Sequence, residues 1–275
     1  MSSTPAQTSA RSLLARYGAR VAFDYLPPLA LLGALVALWE AWVQVFDTKP
    51  YVLPAPSRIW EAFLEVRGTL PAHIRTTMAE SLLGIAFAAV IGVALAVVIA
   101  LVPLVRRVLY PLLVVSQTIP MVVLAPLLII WFGFGMTPKV IVVALIGFFP
   151  IVVSSVDGLS NADRELVALV RSMGAGRLAI LRYVLIPSAL PGFFAGLKIA
   201  AAYAVLGAVI GEYMGGSSGL GLFITRAQTS FRIDRVFVAV VVVALASIAL
   251  FAAVHVAARL ATPWTYAAKP GEDTK

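Results

Sequence analysis

Residues 77–102 read Thr77-Met-Ala-Glu80-Ser-Leu-Leu-Gly84-Ile-Ala-Phe-Ala-Ala-Val-Ile-Gly92-Val-Ala-Leu-Ala96-Val-Val-Ile-Ala-Leu-Val102. Glu80 is the one charged residue in the stretch, and it lies near the start. About 20 apolar residues, rising about 1.5 Å each, are enough to cross the hydrocarbon core of a bilayer as a helix. Backbone N–H and C=O groups have no partner in lipid, so such a run must bond internally as a helix. The strict alternation that marks a membrane β-strand is absent. This stretch therefore predicts an all-α membrane protein.

The rest of the chain agrees. Of its 275 residues, 61% are hydrophobic and 12% charged, and the mean hydropathy is +0.98. A soluble domain is nearer 45–50% apolar and 25% charged, and a chain this long cannot bury so much apolar side chain in one water-soluble core. Further apolar runs lie at 26–46, 109–131, 140–156, 190–211 and 236–260, which makes six expected transmembrane helices. The first is too long for the apolar core of a signal peptide and lacks a small-residue cleavage site. Residues 1–25 read as an N-terminal tail, 26–261 as the transmembrane domain and 262–275 as a C-terminal tail.

The formal net charge is +8. No dense basic run with interleaved aromatics occurs, so nucleic acid is not the expected partner. Basic residues flank spans on the cytoplasmic side. Six spans put both termini on one side, and that side carries 12 Lys and Arg against 8 on the other, with Lys139 among the 8 and Lys198 inside a span. Both termini are therefore expected in the cytoplasm, with membrane lipid as the solvent of the spans. There is no cysteine, and the two histidines, His73 and His255, are far apart, so no metal site is expected. No paired-carboxylate or metal-ligand spacing occurs, so no catalytic residue is assigned.

Prolines 111, 120, 126 and 150, with Gly133, Gly135 and Gly147, crowd the middle third. Proline removes a helix hydrogen bond. Two readings fit: kinked helices that line a translocation path, or close packing, since both residue types are common in membrane helices. Glu40, Glu80 and Glu212 lie in or at the edges of spans. Ionisable groups there are functional candidates, although carboxylates at helix ends also reach the interface. Glu212 could face a pathway or cap the loop 215–221.

The interval 157–189 is different in kind. Ser160 and Asp163 form a capping-box-like helix start. Leu166, Leu169, Val170 and Met173 fall at i, i+3, i+4 and i+7, one apolar face. Gly174-Ala175-Gly176 breaks the helix, and a second amphipathic piece, 178–186, ends at Pro187. Arg164, Arg171, Arg177 and Arg182 occupy the polar faces. The apolar stripe needs a cover: its own bundle, lipid headgroups or a groove of another protein.

This segment resembles the EAA loop of bacterial ABC importer permeases. In that pattern a Glu-Ala-Ala triplet precedes a Gly by three residues, and nine more lead to Ile-x-Leu-Pro. Gly174, then nine residues, then Val184-Leu185-Ile186-Pro187 fall in that register. The triplet position reads Ala168-Leu169-Val170, and Glu165 stands one turn earlier. Leu53-Pro54-Ala55-Pro56-Ser57, Thr118-Ile119-Pro120, Ala125-Pro126-Leu127, Trp131-Phe132-Gly133-Phe134-Gly135, Ser188-Ala189-Leu190-Pro191 and Ser218-Gly219-Leu220-Gly221 are similar to the members that handle nitrate, taurine, alkanesulfonates, riboflavin or thiamine-precursor pyrimidines. Gly211-Glu212-Tyr213 leans towards the flavin and pyrimidine members.

The resemblance implies the type I importer fold and a permease subunit, multi-pass in the bacterial inner membrane, that forms the path for a small solute. It implies a second permease subunit as homodimer partner, an extracytoplasmic substrate-binding protein, and cytoplasmic ABC ATPase subunits docked on loop 157–189. In that loop Glu165, Leu166, Leu169, Val170, Arg171, Met173, Gly174, Ala175, Arg177 and Pro187 would couple to the ATPase. The chain contains no Gly-x-x-x-x-Gly-Lys-[Ser/Thr] phosphate loop, so no cofactor is expected on it and ATP with Mg belongs to the partner. Gln117, Met121, Tyr203 and Glu212 are the polar or adaptable candidates for the path. The alternative is an ion-coupled transporter or channel that uses Glu40 and Glu212.

Overall fold

A computed structural model describes the backbone of residues 10–266 and the side chains of residues 26–265. The described residues form helices: α1 (Ala10–Val45), α2 (Pro56–Val66), α3 (Leu70–Leu101), α4 (Pro103–Ser116), α5 (Met121–Phe132), α6 (Met136–Ser160), α7 (Arg164–Ser172), α8 (Arg177–Ile180), a π-helical turn (Leu181–Leu185), α9 (Ile186–Gly215), α10 (Leu220–Thr229), α11 (Ile233–Ala261) and α12 (Pro263–Tyr266). Part of the expected N-terminal tail is thus helical from Ala10. The rest of that tail, and the end of the C-terminal tail beyond Tyr266, lie outside the described residues.

Among the described residues five stretches are long and apolar enough to cross a membrane: Leu26–Val45 within α1, α3, α6, the run Arg177–Gly215, and α11. The expected single span at 109–131 is instead two helices, α4 and α5, bent by 98°. Proline explains both ends of this unit. Val102 is forced into an extended conformation (φ −120°, ψ 100°) by Pro103, which ends α3 and starts α4. Pro120 lacks an N–H to continue α4 and opens α5 in extended geometry.

The direction of packing shows that the bent pair crosses the bundle. A Cβ added to Gly84 would meet Val143, one on Gly92 would meet Ile151, and Gly147 sits against Ala88. Residue numbers rise together, so α3 and α6 run parallel. The end of α3 and the start of α6 are therefore at opposite ends of the bundle, and α4 with α5 must cover that distance. Counting the pair as one crossing gives six. By the same test α9 runs antiparallel to α6, because Gly192 lies on Ser154, Gly196 on Pro150 and Gly211 on Lys139.

Small residues make this core. Lipid offers helices no hydrophobic reason to associate, so they gain by close van der Waals approach where Gly and Ala thin the surface. A Cβ on Gly196 would stand 2.4 Å from the Pro150 carbonyl oxygen and 2.8 Å from the Ile151 Cα. Pro150 and Gly147 therefore sit in the tightest helix contact, which favours the packing reading for these two. Val143, Val152, Val156, Val205 and Ala208 are fully buried around it. By contrast, α4 and α5 each bury few residues and leave Ile130, Trp131 and Leu104 exposed.

Two boundaries shift with structural consequence. The expected span at 140–156 is α6, whose 25 residues give a full crossing. The expected loop 47–76 contains α2 and the start of α3; α2 is amphipathic, with Ala62 and Val66 buried against Leu220, Ile224, Val238 and Ala239. Glu65 on α2 takes hydrogen bonds from Arg232 (2.7 Å) and Arg235 (3.2 Å). Those guanidiniums, Arg232 foremost, hold the Glu65 carboxyl below its ordinary range.

Candidate functional site

The connection between α6 and α9 is built as a protruding hairpin. Asp163, not Ser160, caps α7: its Oδ1 accepts from the N–H of Glu165 (2.8 Å) and of Leu166 (3.3 Å), while Ser160 belongs to the last turn of α6. Glu165 in the first turn and Arg171 in the last match the helix dipole. No residue of α7 is buried. Leu166 and Leu169 are exposed and Met173 is 78% exposed, so these three members of the apolar stripe have no cover among the described residues. Gly174 then takes φ +85°, a left-handed conformation that a side chain strains. Ala175 and Arg177 follow, α8 turns back, and the chain passes through the π-helical turn into α9, where Pro187 stands in the first turn, as helix starts allow.

The polar candidates separate into two places. Gln117 and Tyr203 line one cleft of about 500 Å³ with Phe149, Pro150, Ser154 and Ile199, where the α4–α5 break faces α6 and α9. Met121, at the start of α5, is not part of this lining. Glu212 is elsewhere. It is 1% exposed and its oxygens accept from Thr77 Oγ1 (2.6 Å) and the Gly221 N–H (2.6 Å). Of the two roles open to it, it takes the cap on the 215–221 loop; the path role is not what the described structure shows. Gly219 (φ +114°) makes room, since a Cβ there would overlap the Glu212 carboxyl.

Sequence reading missed the neighbours of Glu212. Lys139, counted above as a loop charge, is 3% exposed and pairs with Glu80 Oε1 at 3.0 Å; Glu80 is itself 1% exposed. Both side chains are buried within the bundle. His73 lies in α3, and its Nδ1 accepts from the Gly219 N–H (3.1 Å). Glu40 accepts from the Ser57 N–H (3.0 Å), Ser57 Oγ (2.8 Å) and Gln44 (2.7 Å), which fixes the start of α2. Both carboxylates of the ion-coupled alternative are thus committed to structural bonds. Among the described residues no group of His, Asp and Glu could hold a metal ion.

The pattern of the binding-protein-dependent transport system inner membrane component family matches residues 63–265. The chain belongs to this family. The permease is 36% identical over 243 residues to the formylaminopyrimidine transport permease ThiX of Halalkalibacterium halodurans, covering 88% of this chain and 97% of that one. It is 39% identical over 241 residues to the riboflavin transport permease RibX of Chloroflexus aurantiacus, covering 86% and 89%, and 27% identical over 243 residues to the taurine permease TauC of Escherichia coli, covering 86% and 88%. Its fold is similar to the inward-facing MetNI methionine ABC transporter, with TM-score 0.64 at 20% identity over 72% of this chain and 98% of that one. The permease is the transmembrane subunit of an ABC importer in the inner membrane and is not itself catalytic. The ion-coupled reading is not favoured.

Proposed function

We propose that this permease carries a small heteroaromatic solute of the flavin or pyrimidine class. The relatives with flavin or pyrimidine transport in their names are 39% and 36% identical, against 27% for the taurine permease. An external binding protein delivers the solute. Two copies of the chain pair, with both termini in the cytoplasm. Gln117 and Tyr203 meet the solute in the cleft beside Pro150 and Ser154, and Met121 lies near the mouth of that break. A flat ring suits stacking on Tyr203 and Phe149, and the Gln117 amide both donates and accepts.

Cytoplasmic ATPase subunits, holding ATP and Mg, dock on residues 157–189. The observation that carries this is the uncovered face of α7: Leu166, Leu169 and Met173 stand in solvent on a helix that buries nothing. An amphipathic helix with an open apolar stripe fits a hydrophobic groove of a partner. Val170 extends the stripe, Glu165, Arg171 and Arg177 rim it, Gly174 and Ala175 set the turn, and Pro187 fixes where α9 resumes. Nucleotide-driven movement of the ATPases would shift this hairpin and switch the bundle between inward- and outward-facing states.

The test is Gly174→Leu in the permease co-expressed with its ATPase. A Cβ there meets nothing within 4 Å, but the left-handed backbone is strained by any side chain. ATPase stimulation and solute uptake should both fall while the complex still inserts. Unchanged uptake would overturn the coupling role.

A further inference from the structure

The mechanism makes no use of the buried charges at the end of the bundle where α3 and α6 begin and α9 ends. Three ionisable side chains meet there: Glu80 from α3, Lys139 from α6 and Glu212 from α9, each 3% exposed or less. His73 on α3 faces this site through its Nδ1, which accepts from the Gly219 N–H. From the α10 side the site receives only the N–H groups of Leu220, bonded to Thr77 Oγ1 (2.9 Å), and of Gly221, bonded to Glu212. With all three groups ionised, the cluster would hold one uncompensated negative charge out of water, which is strongly unfavourable.

The hydrogen bonds show where the imbalance lies. Both Glu212 oxygens are occupied by donors, as suits a carboxylate. Glu80 Oε1 accepts from Lys139. Glu80 Oε2 is buried and has no donor. Glu212 takes a hydrogen bond from Thr77, one turn before Glu80 on α3, and Gly211 beside it packs on Lys139, the partner of Glu80, so the two carboxyls share one buried site. Two carboxylates cannot both stay ionised in such a site, and one proton between them removes the clash. A proton on Oε2 turns the orphaned acceptor into a donor, and the count becomes one lysine cation against one carboxylate.

We propose that the folded permease binds one proton between Glu80 and Glu212, and that this carboxyl–carboxylate link, balanced by Lys139, fastens α3, α6 and α9 together at that end. The link also sets the 216–221 segment, because Glu212 holds the Gly221 N–H and its neighbour Thr77 holds Leu220.

The experiment uses the full-length permease in lipid nanodiscs as wild type, Glu80→Gln and Glu80→Ala. An amide at Glu80 keeps a carbonyl for Lys139 and supplies an N–H for Glu212, so it copies the protonated acid. The Glu80→Gln protein should melt within about 2 °C of wild type, and the Glu80→Ala protein well below both. If Glu80→Gln falls as far as Glu80→Ala, Lys139 requires an anion at Glu80 and the proposal fails. The infrared difference between wild type and Glu80→Gln at neutral pH should contain the C=O stretch of a neutral carboxylic acid, shifted in deuterated buffer. A difference with carboxylate bands alone overturns the proposal. Should the variants not accumulate, the wild-type spectrum decides: a neutral-acid band at neutral pH that is lost on alkalinisation supports the bound proton, and its absence at neutral pH refutes it. Among the described residues the other buried acid is Asp234, which is paired with Arg232, so the band has a clear assignment.

Discussion

Replacing Gly196 with alanine tests whether the α6–α9 contact is as tight as the geometry says. The added Cβ would stand 2.4 Å from the Pro150 oxygen, where ordinary contact begins at 3.4 Å, so the helices must part locally by the difference, 1.0 Å. The neighbouring atoms belong to the backbone of Pro150 and Ile151 and cannot swing away as a side chain would. Alanine is favoured over glycine in a helix by up to about 1 kcal/mol. Overpacking costs about 1–3 kcal/mol, and clashes with both a carbonyl and a Cα put this site at the upper end. The net loss is then about 2 kcal/mol, which for a chain of this size lowers the melting midpoint by about 4–8 °C. The assay is the thermal midpoint of the permease in nanodiscs at a fixed scan rate. Gly33→Ala in α1, where a Cβ meets nothing within 4 Å, is the control and should equal or exceed wild type. A Gly196→Ala protein that melts with the control would refute the close-approach argument.

Three further outcomes follow from other parts of the molecule. Lys139→Met leaves Glu80 and Glu212 facing each other without a cation, and breaking a buried pair this way costs about 3–5 kcal/mol; yield of folded protein after detergent extraction should drop sharply. Asp163→Ala removes the cap of α7 and about 1 kcal/mol of helix stability, so amides of residues 164–166 should exchange faster with deuterium while α6 and α9 are unchanged. Acid should loosen α2: the Glu65 carboxyl is held below its ordinary value by Arg232 and Arg235, so its contribution is present above about pH 4.3 and is lost as pH falls through the lowered value. Exchange in α2 should rise over that acid range in wild type and be raised already at neutral pH, with little acid response, in Glu65→Gln.

How much of this was legible in the sequence depends on the range of the signal. α3 and α11 are long uninterrupted apolar runs, and a local pattern suffices to find them. The α4–α5 unit showed its prolines but not its shape, because a break at residues 117–120 predicts a bend without its angle. α2 was overlooked although Ile59, Ala62, Phe63 and Val66 fall at helical spacing; its polar face and short length hid it in a long loop. The cap of α7 went to Asp163 rather than Ser160 because α6 runs on to Ser160, and helix ends are set by the packing of the whole bundle. The Lys139–Glu80 pair has no local signature at all. Its members are 59 positions apart and meet only because α3 and α6 run parallel with their starts together. A charge at the edge of an apolar run reads as an interfacial residue until its partner is known. The Gln117–Tyr203 cleft is legible only as a list of polar residues; the fold is what brings these two together and leaves Glu212 outside.

The arrangement also bears on which parts can move. α3, α6 and α9 touch through glycine and alanine along most of their length, and interfaces packed this densely switch between discrete arrangements rather than deform. At one end they are joined by the Glu80–Lys139–Glu212 cluster. The α7–α8 hairpin is spliced directly between α6 and α9 at the other end, through a few residues after Ser160 and the π-helical turn before Ile186. α7 and α8 are therefore tied through short connections to both helices of the tightest pair. α4 and α5 contribute few buried side chains and are joined to each other by a 98° break. The cleft lined by Gln117 from one side and Tyr203 and Pro150 from the other lies on the boundary between the trio and the α4–α5 unit.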